Sequence, residues 1–274
     1  MKKACVIGWP IKHSRSPVIH NYWLGQHGIA GAYEKMEVEP GALGAFIKAL
    51  GGEFAGCNVT VPHKESVIDL LDGVDTTARA IGAVNTIWTE GSKKIGGNTD
   101  VAGFLANLDH EAPGWDRALN AVVLGAGGAA RSVVYGLKAR GASRITIVNR
   151  SRAHAERLAA DLGAGEVAGY DDLPSRLEGA TLVVNSTTIG MEGGPRLTIS
   201  LDGLNTGAVV ADLVYVPLKT DLLKKAAARG NRTVDGLGML LHQAVSGFEK
   251  WFGVRPNVTP DLRRLVEADI GAGQ

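Results

Sequence analysis

Lys64 closes the stretch CNVTVPHK (57–64), where an otherwise apolar run carries Asn58 and Thr60 two residues apart. On a strand those two would share one face, and Pro62 would stop the ladder just before the lysine. The pattern is either a polar outer face with a surface lysine or one wall of a polar pocket. Short polar groups recur in other apolar settings: Ser14 and Ser16 in HSRSP, Asn85 in GAVNT, Asp100 in GGNTD and Gln243 on the final apolar helix. Ser16 alone reads as a helix N-cap and so does Asp100, but two hydroxyls at a helix start also make a carboxylate site. Each group is ordinary by itself. Together they suit a small polyhydroxylated acid, whose hydroxyls each need a partner.

A second chemical signal lies in VVLGAGGAARSVVYGL (122–137). Gly125, Gly127 and Gly128, with Ala126 and Ala129 among them, follow a strand and open a helix. A pyrophosphate can approach such a backbone, and free N–H groups at the helix N-terminus attract it. Ala130 takes the last fingerprint position, which the G-x-G-x-x-G/A form permits. The next strand ends ITIVNRSRAH (145–154). An acid there would accept from the ribose 2′-OH of NAD; this chain has Asn149 and Arg150, with Arg152 and His154 behind. A guanidinium pairs with a 2′-phosphate, so NADP is the expected cofactor.

The elements that must position these groups fall into two sets. Strands are expected at 3–8, 32–38 and 55–62, helices at 16–28, 41–52 and 63–73, and a hairpin around Gly91 and Ser92. That makes an α/β unit with a mixed sheet. After a helix opening at Asp100, apolar strands recur at 120–127, 144–150, 181–187 and 207–213, with helices between, and 232–236 adds one more. Runs apolar on both faces mark a parallel, doubly wound sheet of Rossmann type. Leu240, Leu241, Ala244, Val245, Phe248, Trp251 and Phe252 recur at helical spacing as core, ahead of a last helix in PDLRRLVEADIG. The expected domains are 1–102 plus 237–274 for substrate and catalysis, and 103–236 for NADP.

The 274 residues carry a net charge of +1, which argues against a broad nucleic-acid footprint. Cys5 and Cys57 read as buried free thiols. The seven histidines show no paired ligand spacing, so no metal is expected; His13, His20 and His63 read as surface or pocket-edge groups. The opening MKKACVIGWPIKHS is too broken for a signal peptide, and no apolar stretch reaches the roughly 20 residues of a membrane helix. A cytoplasmic protein is the default expectation.

The combination S-x-S-P, N-V-T-V-P-H-K, G-A-V-N-T, N-T-D, G-A-G-G-A-A, N-R-S and M-L-L-H-Q-A, in order along nearly the whole chain, resembles the shikimate dehydrogenase family. The resemblance implies reversible NADP-dependent reduction of 3-dehydroshikimate to shikimate, in aromatic amino-acid biosynthesis, by two domains with the active site in a cleft. It implies that Ser14 and Ser16 hold the substrate carboxylate, and that Asn58, Thr60, Asn85, Asp100 and Gln243 hold the ring hydroxyls. Lys64 would be the acid/base, paired with Asp100. Asn149 and Arg150 would meet the ribose phosphate, Leu213 and Gly236 the nicotinamide, and Tyr215 the substrate. The family commonly has a second Arg or Lys four residues after Arg150. Here His154 stands there and Arg152 earlier, leaving open which completes the clamp. If His154 does, NADP affinity weakens as pH rises past about 6.5. A position in the first turn of helix 63–73 and desolvation would disfavour charge on Lys64, while Asp100 would favour it. A homodimer is an open alternative to a monomer. The rival readings are a related dehydrogenase that prefers quinate, or accepts both acids with NAD, and a non-catalytic NADP-binding sensor. Arg150 argues against the first, and the presence of both Lys64 and Asp100 argues against the second.

Overall fold

The computed structural model describes residues 2–272. Two compact units divide the chain, one of Met1–Asp100 with Leu240–Gln274, the other of Val101–Met239.

In the first unit β1 (Lys2–Gly8), α1 (Ser16–Gln26), β2 (Gly31–Glu37), α2 (Leu43–Ala49) and β3 (Phe54–Val59) are followed by the short β4 (Gly73–Val74) and α3 (Thr76–Ile81). The hairpin of β5 (Thr86–Glu90) and β6 (Lys93–Gly97) comes next, and α4 (Asp100–Glu111) leads on into the second unit. The sheet order is β2-β1-β3-β5-β6-β4. It is mixed: β1 runs parallel to both neighbours, while β3–β5 and β5–β6 are antiparallel. Cys5, Ile7, Ile47, Phe54, Cys57, Val59 and Ile87 belong to its core, and both cysteines are free.

The second unit runs β7 (Asn120–Leu124), α5 (Gly128–Ala139), β8 (Arg144–Val148), α6 (Arg152–Leu162), β9 (Glu166–Ala168), α7 (Leu173–Leu177), β10 (Leu182–Asn185), β11 (Val209–Asp212), α8 (Asp221–Ala228) and β12 (Arg232–Val234). Its six strands are all parallel, in the order β12-β11-β10-β7-β8-β9. Apolar clusters cover both faces, one around Val123, Val133 and Leu137, the other around Val122, Leu177 and Val210. That is why its strands read as unbroken apolar runs. The chain returns to the first unit along α9 (Gly236–Phe252) and ends in α10 (Pro260–Ala272). Gly56 is required where α9 meets the sheet: a β-carbon there would collide with the Trp251 indole, which donates to the Ile87 carbonyl at 2.9 Å.

Three expectations are corrected. No α-helix covers 63–73; the segment is turns with one 3₁₀ turn at Ile68–Leu70. Asp72 is drawn off to the sheet edge instead, exchanging hydrogen bonds with Lys94 at 3.0 and 2.7 Å. The helix comes later as α3, capped by Asp75 and stopped by Gly82 at φ +72°. Ser16 is not an N-cap: Arg15 holds that position, and Ser16 is the first residue of α1. No helix joins β10 to β11, because 186–208 carries Gly190, Gly193, Gly194 and Pro195 and runs through turns and bends.

Candidate active site

In the first unit five of the polar residues singled out by their setting, Asn58, Lys64, Asn85, Asp100 and Gln243, are joined by hydrogen bonds near the ends of β3 and β6. Lys64 leaves its turn with the backbone carbonyl held by Val84 N–H at 2.8 Å, and its Nζ donates to Asp100 Oδ2 at 2.6 Å. Asp100 opens α4, its backbone N–H donating to Asn98 Oδ1 at 3.0 Å. Asn85 Nδ2 donates to the other Asp100 oxygen at 2.8 Å, to Thr99 Oγ1 at 3.0 Å and to Gln243 Oε1 at 3.5 Å. The side chain of Lys64 is a quarter exposed and that of Asp100 12% exposed, so the ion pair borders solvent at the amine end. Since no helix starts at His63, the expected dipole of a 63–73 helix is absent; the charge beside this amine is the Asp100 carboxylate, on the first residue of α4.

Asn58, Asn85 and Gln243 are buried, Thr60 half-buried just past the end of β3. Ser14 Oγ lies 3.4 Å from the Ser16 N–H, which places both hydroxyl-bearing residues in one turn at the start of α1. His63 and His20 are not surface groups. His63 is buried against the Val38 carbonyl at 2.7 Å. His20 is wholly buried, stacked 4.0 Å from the Tyr33 ring and near Trp23 and Trp251. Burial lowers the pKa of His20 to about 3, keeping it neutral.

Sequence reading missed Tyr33, Thr86, Thr99 and Asn98. Tyr33 donates to Asn58 Oδ1 at 2.6 Å; Thr86 and Thr99 both bond Asn85 Oδ1. Thr86, Thr99 and Asn98 lie within GAVNT and NTD, so the motifs held the signal. Tyr33 was visible only as an aromatic on an alternating strand.

In the second unit the glycine turn sits at the C-terminal end of β7, next to β10, where the strand order reverses; ligands of doubly wound sheets bind at such a point. Gly125 has φ +108°, and a β-carbon there would press on Thr187 and Ser186 at 2.8 and 2.9 Å. Gly127 and Gly128 differ: nothing lies within 4 Å of a β-carbon built on either. The first turn of α5 thus offers bare N–H groups to open space, which fits a dinucleotide pyrophosphate. Asn149 Nδ2 donates to the Ser151 carbonyl at 2.8 Å. Arg150, Arg152 and His154 are exposed, and Arg152 pairs with Glu156 at 2.8 Å. Among the described residues no carboxylate pairs with Arg150. Leu213 and Tyr215 follow β11 and are half-buried, and Gly236 begins α9 against the Leu213 carbonyl. Among the described residues, no cluster of His, Cys, Asp and Glu could hold a metal ion, and no helix is long and apolar enough to cross a membrane.

Comparison with known proteins decides the kinship. The shikimate dehydrogenase substrate binding domain matches residues 6–87, shikimate / quinate 5-dehydrogenase matches 112–191, and the shikimate 5′-dehydrogenase C-terminal domain matches 236–265. A shikimate dehydrogenase (NADP+) of Chelativorans sp. (strain BNC1) is 52% identical over 275 residues, covering 100% of this chain and 99% of that protein. The chain belongs to the shikimate dehydrogenase family. Another member, from Nitrobacter hamburgensis, is 55% identical over 98% of this chain and 95% of its own. The crystal structure of shikimate 5-dehydrogenase from Thermus thermophilus in complex with NADP(H) and shikimate superposes with a TM-score of 0.88, at 32% identity and full coverage of both chains. The mixed sheet and the parallel sheet are therefore the family's fold.

Proposed function

We propose that the chain catalyses the reversible NADPH-dependent reduction of 3-dehydroshikimate to shikimate in aromatic amino-acid biosynthesis, in the cytoplasm, with Lys64 as acid/base. The observation that carries the assignment of Lys64 is its 2.6 Å bond to an Asp100 carboxylate whose second oxygen is held by Asn85. Residues 1–102 and 237–274 handle the acid, and 103–236 the dinucleotide. Ser14 and Ser16 take the carboxylate; Thr60, Asn85, Asp100 and Gln243 take ring hydroxyls, with Tyr215 completing the set, while Asn58, expected among them, has its amide engaged by Tyr33, the Asn85 carbonyl and Thr86 and supports the site from behind. Gly125 to Ala129 receive the pyrophosphate of NADP, Asn149 and Arg150 its ribose phosphate, with Arg152 or His154 as a second cation, and Leu213 and Gly236 its nicotinamide end. When bound, NADPH supplies the hydride for the ketone carbon. The Lys64 ammonium gives a proton to the oxygen as negative charge grows there; in the reverse direction the free amine takes it back. Asp100 aims the amine and balances its charge, and Asn85 and Asn98 fix Asp100.

Lys64→Ala is expected to lower kcat by about 10²–10⁴-fold, with KM for shikimate within a few-fold. Near-normal turnover would remove Lys64 from the chemistry. A matrix of shikimate and quinate against NADP and NAD, read by reduced-nicotinamide absorbance, should favour shikimate with NADP; preference for quinate with NAD would overturn the assignment.

A further inference from the structure

We propose that Tyr33 and Thr86 are positioning residues of the Lys64–Asp100 pair, acting through a one-way line of buried hydrogen bonds that ends on the Asp100 carboxylate. The inference rests on the reading of Lys64 as acid/base.

Two backbone groups fix the direction of every bond. The Asn85 carbonyl can only accept, and Asn58 Nδ2 meets it at 3.2 Å. The Asn58 amide therefore turns its oxygen to Tyr33, whose hydroxyl must donate, at 2.6 Å. The same Asn58 nitrogen donates to Thr86 Oγ1 at 3.0 Å, which leaves the threonine proton for Asn85 Oδ1, also at 3.0 Å. The Thr99 backbone N–H can only donate, and it meets that same Asn85 oxygen at 2.8 Å. Asn85 must therefore present Nδ2 to Asp100 Oδ1, at 2.8 Å. Tyr33, Asn58, Thr86 and Asn85 are all buried, so bulk water does not replace a missing member.

Donors in series polarise one another, strengthening each bond by roughly 10–30%. The last donor faces a carboxylate, where hydrogen bonds are strongest. The line thus sets how much of the Asp100 charge is taken by Asn85 and how much remains for the Lys64 ammonium. Tyr33 touches neither Lys64 nor Asp100. The titratable groups around the line are His20, stacked on Tyr33 and neutral, and Cys5 and Cys57. Cys5 is kept protonated by its bond with Cys57 and by burial, and the Tyr33 hydroxyl is pushed up by burial.

The test is the pH dependence of kcat for shikimate oxidation, which requires the free amine. Breaking the line leaves more negative charge facing the ammonium, so the limb moves to higher pH. The shift expected is about 0.2–0.6 pH unit, from 10–30% of a charge-assisted bond. Thr86→Val should show it, Tyr33→Phe should show an equal or smaller shift, and Thr86→Ser should restore the wild-type profile. The double variant should shift no further than Thr86→Val alone, because both changes cut one line. A wild-type limb in Thr86→Val, or additive shifts in the double variant, would overturn the proposal. If Tyr33→Phe does not fold, Thr86→Val against Thr86→Ser decides. Normal turnover in Lys64→Ala would strike the underlying acid/base reading instead, and is scored separately.

Discussion

Asp212 ends β11 wholly buried, with Oδ1 accepting from Asn185 Nδ2 at 2.9 Å and Val214 N–H at 3.0 Å, and Oδ2 accepting from Thr220 at 2.7 Å. Asn185 in turn fixes Thr187 at 2.7 Å and the Ile189 carbonyl at 3.0 Å. One carboxyl thereby ties together the turns after β10 and β11. Its three donors favour the ionised form, but burial outweighs them and raises the pKa from 3.8 to about 6. Between those values the folded protein keeps a proton that the unfolded chain has lost. The stability this contributes is complete at acid pH and fades as pH rises through about 6. Linkage with these two values makes it worth on the order of 1–2 kcal/mol at pH 5 and nearly nothing at pH 8. Asp212→Asn cannot titrate. It keeps an oxygen for Asn185 and Val214, and its lost or gained contact with Thr220 is a constant offset. Urea melts of both proteins at the two pH values isolate the titration. The advantage of wild type over Asp212→Asn should shrink by roughly 1–2 kcal/mol from pH 5 to pH 8. A difference that is the same at both values would refute the claim that this carboxyl holds a proton in the folded state.

The glycine turn offers a paired contrast. Gly125→Ala, strained at φ +108° and pressed on Thr187, should cost about 1–3 kcal/mol of stability. Gly127→Ala, with φ −89° and open space around it, should leave the melting temperature nearly unchanged while raising KM for NADP several-fold. Arg150→Ala should raise KM for NADP about 10–100-fold with little change for NAD, as expected for one charge-assisted phosphate contact; equal losses with both cofactors would count against a 2′-phosphate role.

The parallel sheet was legible because helices cover both its faces, leaving β7, β8, β10 and β11 as unbroken apolar runs. The polar residues of the candidate site stood out for the complementary reason, as amides and hydroxyls in strands otherwise apolar. What could not be read was set by partners far along the chain. The 63–73 segment has helical spacing, but Asp72 is claimed by Lys94 at the sheet edge, and a local pattern carries no record of that rival. His20 looks polar in sequence, whereas Tyr33, Trp23 and Trp251 enclose it in space. Tyr33 alternates correctly for a buried strand residue, yet its use depends on an asparagine 25 positions away.

The first unit is assembled from two segments separated by the whole of the second. The Trp23 indole donates to the Asn257 carbonyl at 3.0 Å, Trp251 to that of Ile87, and Arg15 pairs with Asp269 at 2.7 Å. On a ribosome, therefore, residues 15–87 must wait for residues 251–269, while the intervening nucleotide-type lobe has all of its strands and can close beforehand. During that interval the aromatic surface of Trp23 and Tyr33 lacks its cover of Phe248 and Trp251 and is open to chaperones. A stop codon before Trp251 would leave that surface uncovered permanently.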